Sequence, residues 1–170
     1  MQVVGLDGTA QAALINPVSS LDSTGFPTFT IGNDGSTKFL TLRATKTLVN
    51  ATPTPLFTVA VPVGTHVYVS VSFLAMCHSA ASFQSHCGIV SALAHNRTGT
   101  PSLGVADVNQ SEITLTDAGT FADAWSATAS PNLITVRASL NSSLPGILFE
   151  EINYNLLIAT PFVNVTVTLL

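Results

Sequence analysis

His66-Val67-Tyr68-Val69-Ser70-Val71-Ser72-Phe73-Leu74-Ala75-Met76 is the stretch from which the fold can be read. Val67, Val69, Val71, Phe73 and Ala75 alternate with His66, Tyr68, Ser70, Ser72 and Leu74. Successive side chains of a strand point to opposite faces, so this period of two predicts a strand with one clearly more apolar side. Pro62-Val63-Gly64-Thr65 precedes it as a turn, and before the turn lies a second run, 57–63, rich in Val, Thr and aromatics. Working outward, strand candidates follow at 87–94, 112–116, 124–129, 133–140, 152–159 and 162–169. The last sets Val163, Val165, Val167 and Leu169 on one face against Asn164, Thr166 and Thr168 on the other. It carries no charge, so it is expected inside a sheet or at a subunit interface. No persuasive helical period, repeat or heptad interrupts the series. The expected fold is all-β: an antiparallel β-sandwich, jelly-roll-like, with an irregular N-terminal arm.

The arm is assigned to residues 1–36 and the β-sandwich domain to 37–170. Gly5, Gly8, Pro17, Gly25, Pro27, Gly32 and Gly35 punctuate the first stretch, and neither period persists there. An arm crossing a surface fits that pattern; a first strand with long loops fits it nearly as well. Short apolar pieces within it, Leu14 with Ile15 and Phe26 with Phe29, are the candidate gripping residues.

Charge is the anomaly of composition. Only 8% of the 170 residues are charged, against roughly 25% in average domains. Thr, Ser and Asn cover part of such a surface, and contact with other chains is one cover for the rest; a Thr/Ser-rich surface on a monomer is the competing reading. Five basic residues and a net charge of −4 argue against nucleic acid, which demands clustered Lys and Arg. Lys38, Arg43 and Lys46 read as a solvated strand edge. The opening residues lack a basic, then apolar, signal peptide, and no run approaches the ~18 apolar residues of a membrane helix. Synthesis in a cytoplasm and no membrane partner are therefore expected. Asn-x-Ser/Thr triplets begin at Asn50, Asn96, Asn109, Asn141 and Asn164; in so Thr/Ser-rich a chain they carry no weight as glycosylation sites.

One constellation has chemical character: Cys77-His78, seven residues, then His86-Cys87. Thiolate and imidazole are zinc ligands. On a strand, however, adjacent side chains point apart, and the usual CxxC spacing is missing. Unpaired thiols are the expectation, with a hairpin disulfide or a metal site as the competing readings. No Gly-x-Ser-x-Gly elbow or phosphate-binding glycine loop occurs, and Glu150-Glu151 would point to opposite faces as a solvated strand start. The chain is thus read as no enzyme, with catalytic, cofactor and metal residues all none. Trp125 is expected in the core, sharing a face with Ala127.

Two segments together resemble a known domain. Thr52-Pro53-Thr54-Pro55-Leu56-Phe57-Thr58-Val59-Ala60-Val61-Pro62, followed by the Val-rich strand, is similar to the opening of a β-sandwich domain of tailed-phage virion proteins. Residues 117–128, with an acidic residue, a small residue and a Trp before a strand, resemble its later stretch, and Asn132-Leu133-Ile134-Thr135-Val136-Arg137-Ala138 matches the continuation. The likeness covers roughly 45–170 and departs at Cys77 to Cys87, where the family often has a Gly/Ala-rich loop. It implies a jelly-roll-like domain displayed on a virion, typically as a homotrimer. A capsid decoration (cement) protein, binding the major capsid protein on the outside of a phage head, is the member favoured by a short chain with an arm and no shaft. A tail-fibre or receptor-binding head domain is the alternative, and a C1q- or tumour-necrosis-factor-like trimeric binding module is another.

Overall fold

The alternation read over 66–76 is present in full. Every second side chain is buried along Thr65–Ser79, from Thr65 through Val67, Val69, Val71, Phe73, Ala75 and Cys77 to Ser79. The computed structural model describes residues 18–21, 27–31, 38–106, 113–160 and 165–170. Among them the chain forms strands and turns and no helix: β1 (Val18–Leu21), β2 (Pro27–Ile31), β3 (Lys38–Thr47), β4 (Thr54–Ala60), β5 (Thr65–Ser79), β6 (Phe83–Asn96), β7 (Ser102–Ala106), β8 (Ile113–Thr116), β9 (Phe121–Ser130), β10 (Leu133–Ser142), β11 (Ile147–Thr160) and β12 (Val165–Leu169).

Two antiparallel sheets result, ordered β1-β2-β12-β4-β10-β9 and β3-β11-β5-β6-β7, with β8 also on β6. Four ladders are nested within one another: β5 with β6, β4 with β10, β3 with β11, and β2 with β12. That nesting is one long hairpin rolled up, the connectivity of a jelly roll. Strands β7 to β9 are an insertion between the sixth and tenth strands; β7 and β8 extend one sheet and β9 the other. Two of the twelve strands, β1 and β2, fall within 1–36 and continue the first sheet beside β12. From the charge-free terminal run, Val165–Leu169 becomes an inner strand, with Val165 and Val167 fully buried.

Between the sheets, Leu56, Phe57, Val59, Ile134, Val136 and Leu140 of the first meet Val69, Val71, Phe73, Ile152, Leu156 and Ile158 of the second. Tyr154 joins them because its phenol donates to the Leu56 carbonyl at 3.1 Å, which satisfies the one polar atom it buries. Burial pushes its hydroxyl up to about 12. Passage from β4 to β5, one sheet to the other, uses the expected turn. Thr65 N donates to Pro62 O at 3.2 Å, and Gly64 takes the third position at φ +84°, a conformation that L side chains resist.

Buried amides tie the loops at both ends. Asn96, 2% exposed, donates through Nδ2 to Val61 O (2.6 Å) and Asn132 Oδ1 (2.9 Å) and accepts from Gly99 N (2.8 Å). The ends of β4 and β6 and the β9–β10 turn are held by this one side chain, whose amide nitrogen is thereby committed. Asn96→Asp keeps the shape but removes both donated bonds and sets a carboxylate against two oxygens. A loss of about 3–5 kcal/mol is expected by urea denaturation, and a variant within 1 kcal/mol of the parent would contradict this hub.

At the other end Gln84, 1% exposed, donates to Ala118 O (2.7 Å) and Thr120 O (3.1 Å) and accepts from Ser142 Oγ (2.6 Å). Gly119 lies between those carbonyls at φ +70°, where a Cβ would run into Ser143 Oγ.

Candidate assembly face

Strands β5, β6, β7 and β8 contain no Lys, Arg, Asp or Glu. Their inward positions fill the core, as the alternation demands. Their outward positions depart from the polar pattern expected of a solvated sheet. The register aligns them in rows across the strands. Asn153, Leu74, Cys87 and Ile113 form one row, and Glu151, Met76, Ser85 and Leu115 the next. Phe149, His78 and Phe83 form a third, with the His78 ring 5.6 Å from Phe83 and 5.3 Å from Phe149. On the other side Ile89 pairs with Ser72 and Leu93 with Tyr68. Exposure reaches 65% at Phe83, 68% at Ile113 and 70% at Leu115. Side chains this apolar and this open, contiguous over several strands, are the mark of an interaction surface.

One margin is polar. Arg43 Nε donates to Asn155 Oδ1 at 2.9 Å, Thr45 to Asn153 Oδ1, and Asn153 Nδ2 to Glu151 Oε1 at 2.8 Å. An apolar centre beside a hydrogen-bonded, charged rim is the anatomy of a protein interface. Lys46, next along the edge strand β3, donates to Leu170 O at 2.8 Å. Arg43 is exposed on that edge as its solvated reading expects, whereas Lys46 is half-buried, in phase with the buried Leu42 and Leu48, which corrects that reading for Lys46.

The Cys-His tetrad is divided by the sheet. Cys77 pairs with Gln84 and faces inward with His86; His78 and Cys87 face outward. Both thiols are free, and their side chains point to opposite sides. Burial first, then the nearby Glu150 carboxyl, raises the Cys77 thiol against a lowering hydrogen bond to Ser142. His86 belongs to a different network. Its Nδ1 lies 2.7 Å from Thr114 Oγ1 and its Nε2 3.1 Å from Asp123 Oδ1. Trp125 Nε1 donates to the other Asp123 oxygen. With Phe73 stacked on His86 (5.8 Å) and tilted against Trp125 (5.0 Å), this chain clamps β8 and β6 to β9 across the sandwich. Trp125 and Ala127 pack on the core together, as read.

Of the gripping residues named from sequence, Leu14, Ile15 and Phe26 lie outside the described residues. Phe29 is in β2, opposite Ser19 of β1 and Val167 of β12. Glu150 and Glu151 do point apart, but Glu150 corrects the solvated reading: it is an inward residue, 3% exposed. The outward face escaped the sequence reading because alternation was scored for what it buries. Leu74, Ile89, Leu93, Ile113 and Leu115 on the wrong side of their strands were the available signal.

No family model matches the chain, and no curated protein does. Among solved structures, the tailspike protein of Acinetobacter baumannii phage AM24 is similar over 75% of this chain, with a TM-score of 0.45 and 8% identity. The chain spans 26% of that protein's length. A likeness so faint fixes neither fold nor activity.

Proposed function

We propose that this chain is a non-enzymatic structural protein of a bacteriophage virion, a decoration (cement) protein that assembles with copies of itself on the outer surface of the head. The observation that carries the reading is the charge-free outer face of β5, β6 and β8. A neighbouring copy is its occupant: a face without charge strands no ion when an equally uncharged face covers it, and the chain has few charges anywhere. The jelly roll and the resemblance to phage virion domains support the same reading. Many copies, each making modest contacts, hold a shell by avidity. The major capsid protein is the partner of the N-terminal stretch, through Leu14 and Ile15 and, further along, Phe26 and Phe29.

Because β1 and β2 are strands of the sandwich, the arm is tested by removing only residues 1–17. The truncated chain is expected to keep its β circular dichroism and oligomeric state and to lose addition to purified shells. A truncated protein that decorates shells as well as the full chain defeats the arm. Full-length protein found only at the tail tip selects the tail-fibre reading instead.

A further inference from the structure

The outer face of β5 to β8 lacks permanent charge, yet it carries groups that can acquire one. Of the four histidines, His86 faces inward, while His66, His78 and His95 face outward. His78 lies in the apolar rows. Its ring is half-buried between two others, Phe83 of β6 at 5.6 Å and Phe149 of β11 at 5.3 Å, inclined by 32° and 30°. Among the described residues the ring makes no hydrogen bond or ion pair. The carboxylates nearest it are engaged elsewhere. Glu151, diagonal to it on β11, accepts from Asn153 Nδ2 at 2.8 Å, and Asp117, just beyond β8, accepts from Phe83 N at 3.0 Å. Glu150 lies on the opposite side of β11, facing Cys77. The flanking outward residues Met76, Ser85 and Leu115 carry no charge.

From this arrangement we infer that His78 makes self-association across the outer face acid-sensitive: copies join with the ring neutral and separate when it is protonated. The inference rests on the self-assembly proposed for this face and names its regulation. Imidazole is the side chain whose charge ordinarily changes between pH 5 and 8. In the free chain the ring is half open to water, so a proton there disturbs the fold little. Under a covering copy the same charge would sit unpaired in a charge-free contact, at a cost that drives off either the proton or the partner. Attraction of the cation to the two phenyl rings is small beside the hydration it would lose. Acid therefore acts on assembly and spares the sandwich. A free imidazole in water is about one-tenth neutral at pH 5.5. When only the neutral ring enters a contact, apparent affinity falls by that fraction, about tenfold for each His78 the contact contains. His66 and His95 face outward at the far end of the same strands. From position 66 to 78 is about 40 Å at the rise of a strand, so the aromatic row titrates apart from them.

Light scattering over a concentration series at pH 7.5 and 5.5 tests the switch, with circular dichroism at both values to follow the fold. The parent is expected to weaken at least tenfold on acidification, with its β signal unchanged, and to reassemble on return to pH 7.5. His78→Gln and His78→Leu should each assemble at pH 7.5 and lose most of that change, while His95→Gln should keep it. Glu150→Gln should keep it too; this control is included because burial raises that carboxyl to about 7, within the same window. An oligomer of equal affinity at both pH values overturns the switch and leaves the assembly face standing. A parent that is monomeric at both overturns the two together. Acid dissociation that survives both His78 variants, or that disappears in His95→Gln or Glu150→Gln, belongs to another group and overturns the role of His78.

Discussion

Glu150→Gln is expected to make the protein more stable above neutral pH, by about 3 kcal/mol at pH 9, with the gain falling to about 1 kcal/mol at pH 5. Glu150 faces Cys77 across the β11–β5 ladder, and neither of its carboxyl oxygens has a hydrogen-bond partner. A carboxylate placed there loses its water and gains nothing in return. Burial accordingly raises its pKa from the ordinary 4.5 to about 7. The sign follows from which state holds the proton. With the folded value above the unfolded one, the stabilising contribution is complete below pH 4.5, shrinks as pH rises, and is lost through pH 7. Two and a half pH units at about 1.4 kcal/mol each give the expected size. Glutamine keeps the shape and cannot ionise, so it removes this slope. Urea midpoints at pH 5, 7 and 9 read the effect directly, and parallel profiles for parent and variant would refute it.

Glu150 also marks where sequence reading stopped. Residue type is a good guide to burial when the neighbours alternate, which is why β5, β10, β11 and β12 were legible. Each carries its core residues two apart; β5, β10 and β11 run to ten residues or more, and β12, though only five long, alternates without a glycine or proline. Type misleads for the buried polar residues. Gln84, Asn96 and Glu150 look like surface side chains, and only partners distant in sequence, such as Ala118 for Gln84 and Val61 for Asn96, make the first two buried hubs. The strands β1 and β2 were hidden for another reason. They are four and five residues long, set among glycines and prolines; β2 pairs with β12 at the far end of the chain, and β1 pairs with β2. The nested order of the ladders is likewise a property of long-range pairing that no local period encodes. For the Cys-His constellation alternation predicts that neighbours point apart, and the β5–β6 register shows which of the four face inward.

Charging the outer face should abolish self-association while sparing the fold. In the double variant Ile113→Lys, Leu115→Lys, both side chains start out more than two-thirds exposed. Substitutions at such positions usually move stability by less than about 0.5 kcal/mol, so the sandwich is expected to remain intact by circular dichroism. At an interface the same lysines meet a facing copy whose β5 to β8 strands offer no acid to pair with. Each ammonium must then be buried unpaired or keep the surfaces apart, a cost of several kcal/mol per ion. Since every 1.4 kcal/mol is tenfold in affinity, a loss of at least about a thousandfold follows. Symmetry multiplies the penalty, because each copy in a closed ring carries the change. Light scattering over a concentration series should find the parent as a homo-oligomer, a trimer in the expected case, and the variant at 17.6 kDa. Asn141→Lys, exposed on the other sheet, should leave assembly as it is. A parent chain that is itself monomeric at micromolar concentration, or a double variant that assembles like the parent, removes the outer face from the mechanism. The second outcome alone would move the subunit contact to the first sheet, where β1 and β9 are the free edges among the described strands.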